Sequence, residues 1–156
     1  AEFVVASLHW GSEYLRQPTR DQLDWAAAIA SDGYVDMIIG HHAHVLQPIT
    51  TIGDTFVLYG LGNFLSNQEP KCCTAYSQDG AVVEVQIGDM DGGVHVVGFQ
   101  FTPTWVDRNL MQVVPVVERL ASNEELPHWI RASLEASLER TLDSLGLLGA
   151  ELSTPR

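Results

Sequence analysis

The chain reads as an α/β domain. Two apolar runs, residues 3–8 and 35–39, flank a segment of helical period, and a histidine follows each run closely. Continuous apolar runs of this kind suit strands buried on both faces of a parallel sheet. Further along, apolar and polar residues alternate with period two, which predicts antiparallel hairpins beside the parallel unit.

Taken in order, residues 3–8 are the first expected strand, and Gly11 and Pro18 mark a loop after it. Thr19-Arg20-Asp21-Gln22 has the form of a capping box, with Thr19 as N-cap and Gln22 at N3. The helix it opens carries Leu23, Ala26, Ala27 and Ala30 as its apolar stripe, and Gly33 is placed to stop it. Residues 35–39 are the second strand, parallel to the first through a right-handed crossover. Residues 49–52 and 55–59, around Gly53-Asp54, form a hairpin, followed by the loop Gly60-Leu61-Gly62-Asn63-Phe64. The polar segment 66–80 is expected as an exposed excursion, and 81–87 with 94–101 as a second hairpin. Residues 102–117 are expected extended, with Pro103 and Pro115. Ser122-Asn123-Glu124-Glu125 is a second capping-box candidate before a helix over 126–145. Its stripe is Ile130, Leu134, Leu138, Leu142 and Leu145, Gly146 would end it, and 150–156 is expected to fray.

A chain of 156 residues is long enough for one domain that buries roughly 68–70% of its unfolded surface. The net charge of −12, with no basic stripe, argues against nucleic-acid binding and against adsorption to anionic lipid. It leaves room for an anionic substrate, because bound cations invert the local field. No stretch approaches the roughly 18 apolar residues of a membrane span, and no signal-type segment stands at the N-terminus. Cys72 and Cys73 are adjacent, and so short a ring strains a disulfide, so free thiols or a partner outside the chain are expected.

The chemistry concentrates in four histidines: His9 in Leu8-His9-Trp10-Gly11, and His41, His42 and His44 in Gly40-His41-His42-Ala43-His44. Neutral imidazole is the commonest side-chain ligand for zinc, iron, copper and nickel. Sites in open α/β sheets gather beyond the carboxyl ends of strands, which is where both groups fall. A metal site shared by His9 and the 41–44 loop is therefore expected, in preference to packing. Glu13 is either a solvated loop carboxylate or a group that orients an imidazole or works as acid or base. Asn63 is either a turn residue or a pocket residue near His44. Trp10 reads as core, and His95 and His128 as structural or surface residues. A doubly buried strand at the very start of the chain has nothing before it to cover it. We therefore expect the chain to be the C-terminal part of a larger domain, completed by a missing N-terminal half or by another protomer.

The motifs His9-Trp10-Gly11 with Glu13-Tyr14, Gln22, Ile39-Gly40-His41-His42-Ala43-His44-Val45-Leu46-Gln47-Pro48 and Tyr59-Gly60-Leu61-Gly62-Asn63-Phe64 stand in a familiar order. Together they resemble the bacterial capsule synthesis family CapA of poly-γ-glutamate biosynthesis, itself similar to calcineurin-like metallophosphatases. The resemblance covers about residues 1–115. It implies a four-layer α/β/β/α fold, with residues 1–117 as the C-terminal portion of that domain, 118–148 as a helical extension and 149–156 as a tail. It further implies a metal pair held by Asp, Asn and His, with the family's earlier Gly-Asp and Asn-His motifs absent from this chain. What remains is His9 with two of His41, His42 and His44, and the Gly-His-x-His spacing favours His42 and His44. The catalytic set implied is His9, Glu13 and Asn63. The cofactor would be a divalent metal (Mn, Zn, Fe or Mg), held weakly or not at all by this chain alone. Two such ions about 3.5–4 Å apart would polarise a phosphoryl oxygen and generate hydroxide. The function implied is metal-dependent hydrolysis of a phosphoester or related bond during polymer synthesis. The alternatives are a non-catalytic scaffold in capsule assembly or export and, more remotely, a metal-storage or sensing module. The partners implied are the capsule synthesis machinery, at the cell surface or extracellular side of the bacterial membrane.

Overall fold

A computed structural model describes residues 1–69, 71–90 and 92–149. The first five elements are β1 (Val5–His9), α1 (Arg20–Asp32), β2 (Met37–His41), β3 (Ile49–Ile52) and β4 (Thr55–Leu58). They form a four-stranded sheet in the order β1-β2-β4-β3. β1, β2 and β4 are parallel, and β3 is the antiparallel arm of the hairpin around Gly53. Both bonds of the Thr19–Gln22 capping box are present, and Gly33 is the C-cap of α1. Of the expected stripe, Ala26 is buried but Ala27 is exposed, because the helix turns Gln22 and Ala26 to the sheet.

Within this chain β1 is uncovered on one face. It is the edge strand, and only Ala6 and Leu8 pack inward, while Val5, Ser7 and His9 are exposed. An apolar run cannot by itself distinguish a central strand from an edge. β2 and β4, flanked on both sides, carry the buried residues Met37, Ile38, Phe56, Val57 and Leu58.

The second sheet is β5 (Asp79–Met90), β6 (Gly93–Asp107) and β7 (Gln112–Pro115), in that order and antiparallel throughout. The long hairpin β5–β6 replaces the shorter one expected. The stretch expected as extended divides into the end of β6, β7, and the start of α2 (Val116–Ala121). The helix α3 (His128–Leu145) follows. The two sheets face each other through Met37, Leu46, Ile49, Phe56 and Leu58 on one side and Val83, Val85, Phe99 and Phe101 on the other. Phe56 and Phe99 meet with ring centroids 5.1 Å apart, an arrangement worth about 0.5–1.5 kcal/mol beyond area burial. On the other face of the first sheet α1 covers Ile38, Val57 and Tyr59.

The stack is thus α1, first sheet, second sheet. α3 does not cap the far side of that stack. Its Ser137 and Arg140 bond Asp79, which shares a face of β5 with Ala81, Val83 and Val85, the residues packed toward the first sheet. α3 therefore lies beside the first sheet, and the far face of the second sheet leaves Val82 and Val97 44% and 47% exposed.

Three further expectations change. Ser122-Asn123-Glu124-Glu125 does not cap α3: Ser122 ends α2, and α3 starts behind Pro127 with no side-chain cap. The fully buried face of α3 is Leu134, Ser137, Thr141, Ser144 and Leu145, with Leu138 and Leu142 only part-buried. The helix is turned because Ser137 and Arg140 must reach Asp79. Within 66–80, Ser66, Ser77 and Asp79 are buried and Ala75–Gln78 is a short 3-10 helix, so this is a packed connection and not an exposed excursion. Cys72 and Cys73, expected unpaired within the chain, are joined as a vicinal disulfide. The expected frayed tail, 150–156, lies outside the described residues. No described helix is long and apolar enough to cross a membrane.

Candidate functional site

β1 and β2 run in register, so His9 stands opposite His41 at their carboxyl ends. Beyond these ends the two connecting loops are joined through the backbone. Trp10 N–H donates to the His41 carbonyl at 3.2 Å, and Tyr14 N–H to the Ala43 carbonyl at 2.8 Å. Ala43 and Val45 are buried, and the residues between and before them, His42 and His44, are half-buried. The turn requires left-handed backbone at residues that are not glycine: φ is 96° at His42, 56° at His44 and 63° at Tyr14. Each such residue costs about 1–3 kcal/mol and persists only where its surroundings over-determine it.

Those surroundings are visible. Gly40 is the penultimate residue of β2, where an added Cβ would lie 1.9 Å from the Tyr59 carbonyl oxygen and 2.3 Å from Trp10 Nε1. Only glycine allows this approach. It lets Trp10 Nε1 donate to the Tyr59 carbonyl at 3.0 Å, with the two rings stacked at 5.6 Å. Burial alone pushes the Tyr59 phenol up from its ordinary value. Beneath the loops lies a pair of buried amides. Gln22 Nε2 donates to Gln47 Oε1 at 2.9 Å, and Gln47 Nε2 donates to the Leu15 carbonyl at 2.9 Å. The first turn of α1, the β1–α1 loop and the strand leading to β3 are thereby tied together.

On this base the imidazoles are placed as follows. His9 and His42 meet with ring centroids 4.5 Å apart, and His44 lies 6.4 Å from His42. Tyr14 also stacks with His44, with ring centroids 6.2 Å apart. His41 engages Ser7 instead, with its Nε2 3.0 Å from the Ser7 hydroxyl. His95 lies in β6 and His128 opens α3, apart from this group. Glu13 is exposed and makes no hydrogen bond or ion pair with a described residue, so it orients no imidazole here.

Asn63 does reach the group. Its Oδ1 lies 2.8 Å from His44 Nδ1. Its Nδ2 faces four acceptors: the His44 and Ser77 carbonyls at 3.4 Å, and Ser66 Oγ and Gln68 Oε1 at 3.3 Å. Four acceptors around one end of the amide determine which end is nitrogen. Oδ1 is then the acceptor toward His44, Nδ1 carries the hydrogen, and Nε2 keeps its lone pair for a ligand or a proton. Gln68 extends the network, its Nε2 donating to the Tyr14 hydroxyl at 3.2 Å.

As metal donors these residues fit in part. Neutral imidazoles with a free Nε2 are suitable, but among the described residues no group of three His, Cys, Asp or Glu side chains stands close enough to hold an ion. Sequence reasoning missed Ser7, Tyr14 as a ring partner, the Gln22–Gln47 pair and Gln68. Tyr14, Gln22 and Gln47 fall inside the motifs and were open to notice. Gln68 carries no local signal.

Comparison with known proteins singles out the same stretch. Residues 1–68 match the family model described as bacterial capsule synthesis protein PGA_cap. The chain is 46% identical over 68 residues to the PGA biosynthesis protein CapA of Bacillus subtilis (strain 168), covering 44% of this chain and 18% of that protein. It is 36% identical over 89 residues to the capsule biosynthesis protein CapA of Bacillus anthracis, covering 57% of this chain and 20% of that protein. The matched stretches thus span about a fifth of the length of these relatives. The family match ends short of the residue 115 to which the motifs were extended, and all four clustered histidines, Gln47 and Asn63 lie within it. Over that stretch the chain is similar to the capsule synthesis family.

Proposed function

We propose that this chain supplies the imidazole-bearing portion of a metallophosphatase-like site that works in capsule, poly-γ-glutamate, biosynthesis. The observation that carries this reading is the meeting of His9 and His42 at adjoining strand ends, with strained backbone at His42 and His44. Drawn together around an ion by oxygen ligands from outside this chain, His9, His42 and His44 would hold it from one side, and such an ion would supply Lewis acidity and an activated water for phosphoester or related hydrolysis. Oxygen ligands would come from an upstream portion of the domain or from another protomer. Asn63 positions His44, and Ser7 keeps His41 out of the set.

The test is hydrolysis of a generic phosphodiester by a polypeptide that contains this chain and its upstream half, read with bound metal by mass spectrometry. His9→Ala, His42→Ala and His44→Ala are each expected to lose metal and at least about tenfold in rate, and His41→Ala to retain both. Calorimetric titration of this chain alone with Mn²⁺ or Zn²⁺ is expected to show weak binding, and tight binding would overturn the need for outside ligands. One observation favours a second reading, a non-catalytic scaffold: the absence of a complete donor trio among the described residues. Polymer production unchanged in all three alanine variants would establish it.

A further inference from the structure

A cavity of about 400 Å³ opens beside the histidines, lined by Tyr14, Arg16, Thr19, Thr74 and Tyr76 among others. Tyr14 forms part of its wall and is also the ring stacked on His44. Tyr14 therefore borders both the cavity and His44. Among the described residues of the lining, Arg16 is the only cation. Its guanidinium lies over the Tyr76 ring, 4.5 Å from the centroid, with the side chain 26% exposed. One nitrogen, NH1, bonds Asp143 Oδ2 at 2.5 Å, and Asp143 is itself 63% exposed. The rest of the fork makes no hydrogen bond with a described residue.

Arg140 shows what a satisfied arginine looks like in this molecule. It grips Asp79 with two nitrogens, at 2.6 and 2.8 Å. Arg16 lies over an aromatic face and is only partly used. A planar fork in that state is matched to a carboxylate, which takes two parallel N–H bonds. Asp143 already occupies part of that position, from a flexible and mostly solvated side chain, and acts as a tethered competitor.

We propose that this cavity is a carboxylate-binding subsite centred on Arg16, which seats a carboxylate-bearing segment with its neighbouring bond toward the histidines across Tyr14. The placement of the reacting end rests on the function proposed above, whereas the binding itself does not. The subsite would select for carboxylate near the bond presented to the imidazoles, in a protein whose overall charge of −12 repels such ligands elsewhere.

The test is a titration of the chain with glutarate followed by amide chemical shifts. Saturable shifts are expected at Leu15, Arg16, Thr74 and Tyr76, and none with neutral glutaramide. Arg16→Gln should weaken binding about tenfold or more, as expected for a lost charge-assisted pair. Arg16→Lys should give an intermediate value, and Asp143→Asn should tighten binding by removing the competitor. His42→Ala should leave glutarate affinity within about twofold, since it stands beyond Tyr14. Absence of saturable shifts, an unchanged affinity in Arg16→Gln with a native amide spectrum, or preference for inorganic phosphate over glutarate would overturn the assignment. The two readings fail separately. Loss of hydrolysis in His42→Ala without glutarate binding removes the subsite alone, and glutarate binding without any histidine-dependent hydrolysis removes the reacting end alone.

Discussion

Among the described residues, three of the four non-glycine positions with left-handed backbone, Tyr14, His42 and His44, stand at the carboxyl ends of the first sheet, and the fourth, Met111, sits in the turn between β6 and β7. The two sheets also bury polarity differently. Under the first sheet it is a neutral amide pair, Gln22 with Gln47, spread across three segments of chain. Under the second it is one ion pair, Asp79 with Arg140, aided by Ser137. Strain held by a neutral network is a way to aim side chains without imposing a fixed charge beside them. A buried ion pair aims nothing at solvent and serves to register α3 on β5. The first region is organised around what it presents, and the second around how it closes.

The largest expected effect breaks that contrast at its base. Gly40→Ala forces a methyl group into the Tyr59 carbonyl and Trp10, and should cost about 4 kcal/mol or more, or abolish folding. Gly88→Ala in the second sheet meets only the Val97 side chain at 3.1 Å, and should cost under about 1.5 kcal/mol. Urea denaturation of the two variants measures the difference, and equal losses would erase the distinction between the regions.

Next comes Asp79→Ala, which strands Arg140 partly buried and should cost about 3–5 kcal/mol, with the histidine ring resonances of the remaining folded protein unmoved. Burial raises the Asp79 carboxyl above the usual carboxylate range, while Arg140 and Ser137 oppose the shift. A raised acid stabilises fully below its ordinary value and loses that contribution as pH rises through the raised one. The gap between wild type and Asp79→Ala should therefore narrow as pH rises above the ordinary carboxylate range, as denaturation at several pH values would read.

The smallest effect sharpens the comparison. His42→Gly relieves left-handed strain and should stabilise the fold by about 1 kcal/mol, while abolishing the metal-dependent activity proposed for the intact domain. Met111→Gly should stabilise similarly and leave activity alone. Destabilisation by His42→Gly in thermal unfolding would mean that the ring is structural.

The same divide governs how much could be read from the sequence. The strand–helix–strand unit, the Thr19 capping box, the β3–β4 hairpin and the approach of His9 to the 41–44 loop follow from local pattern plus the rule that sites form at strand ends. Asn63 was open to two readings, and its contact with His44 favours the pocket one. The exposed face of β1 was hidden because a strand's composition says nothing about its place in the sheet. The rotated face of α3 was hidden because its cause, Asp79, lies 58 residues from Ser137. Glu13 looked chemical by proximity in sequence alone, and the loop leaves it in solvent.

Asn63 also has a reach that its modest size conceals. Its amide nitrogen touches the Ser77 carbonyl, just before β5, while its oxygen takes the hydrogen of His44. The amide that orients one imidazole is thus tied to the seat of the second sheet. Withdrawing that carbonyl would remove one of the four acceptors that orient the amide, and so loosen the hold of Asn63 on His44.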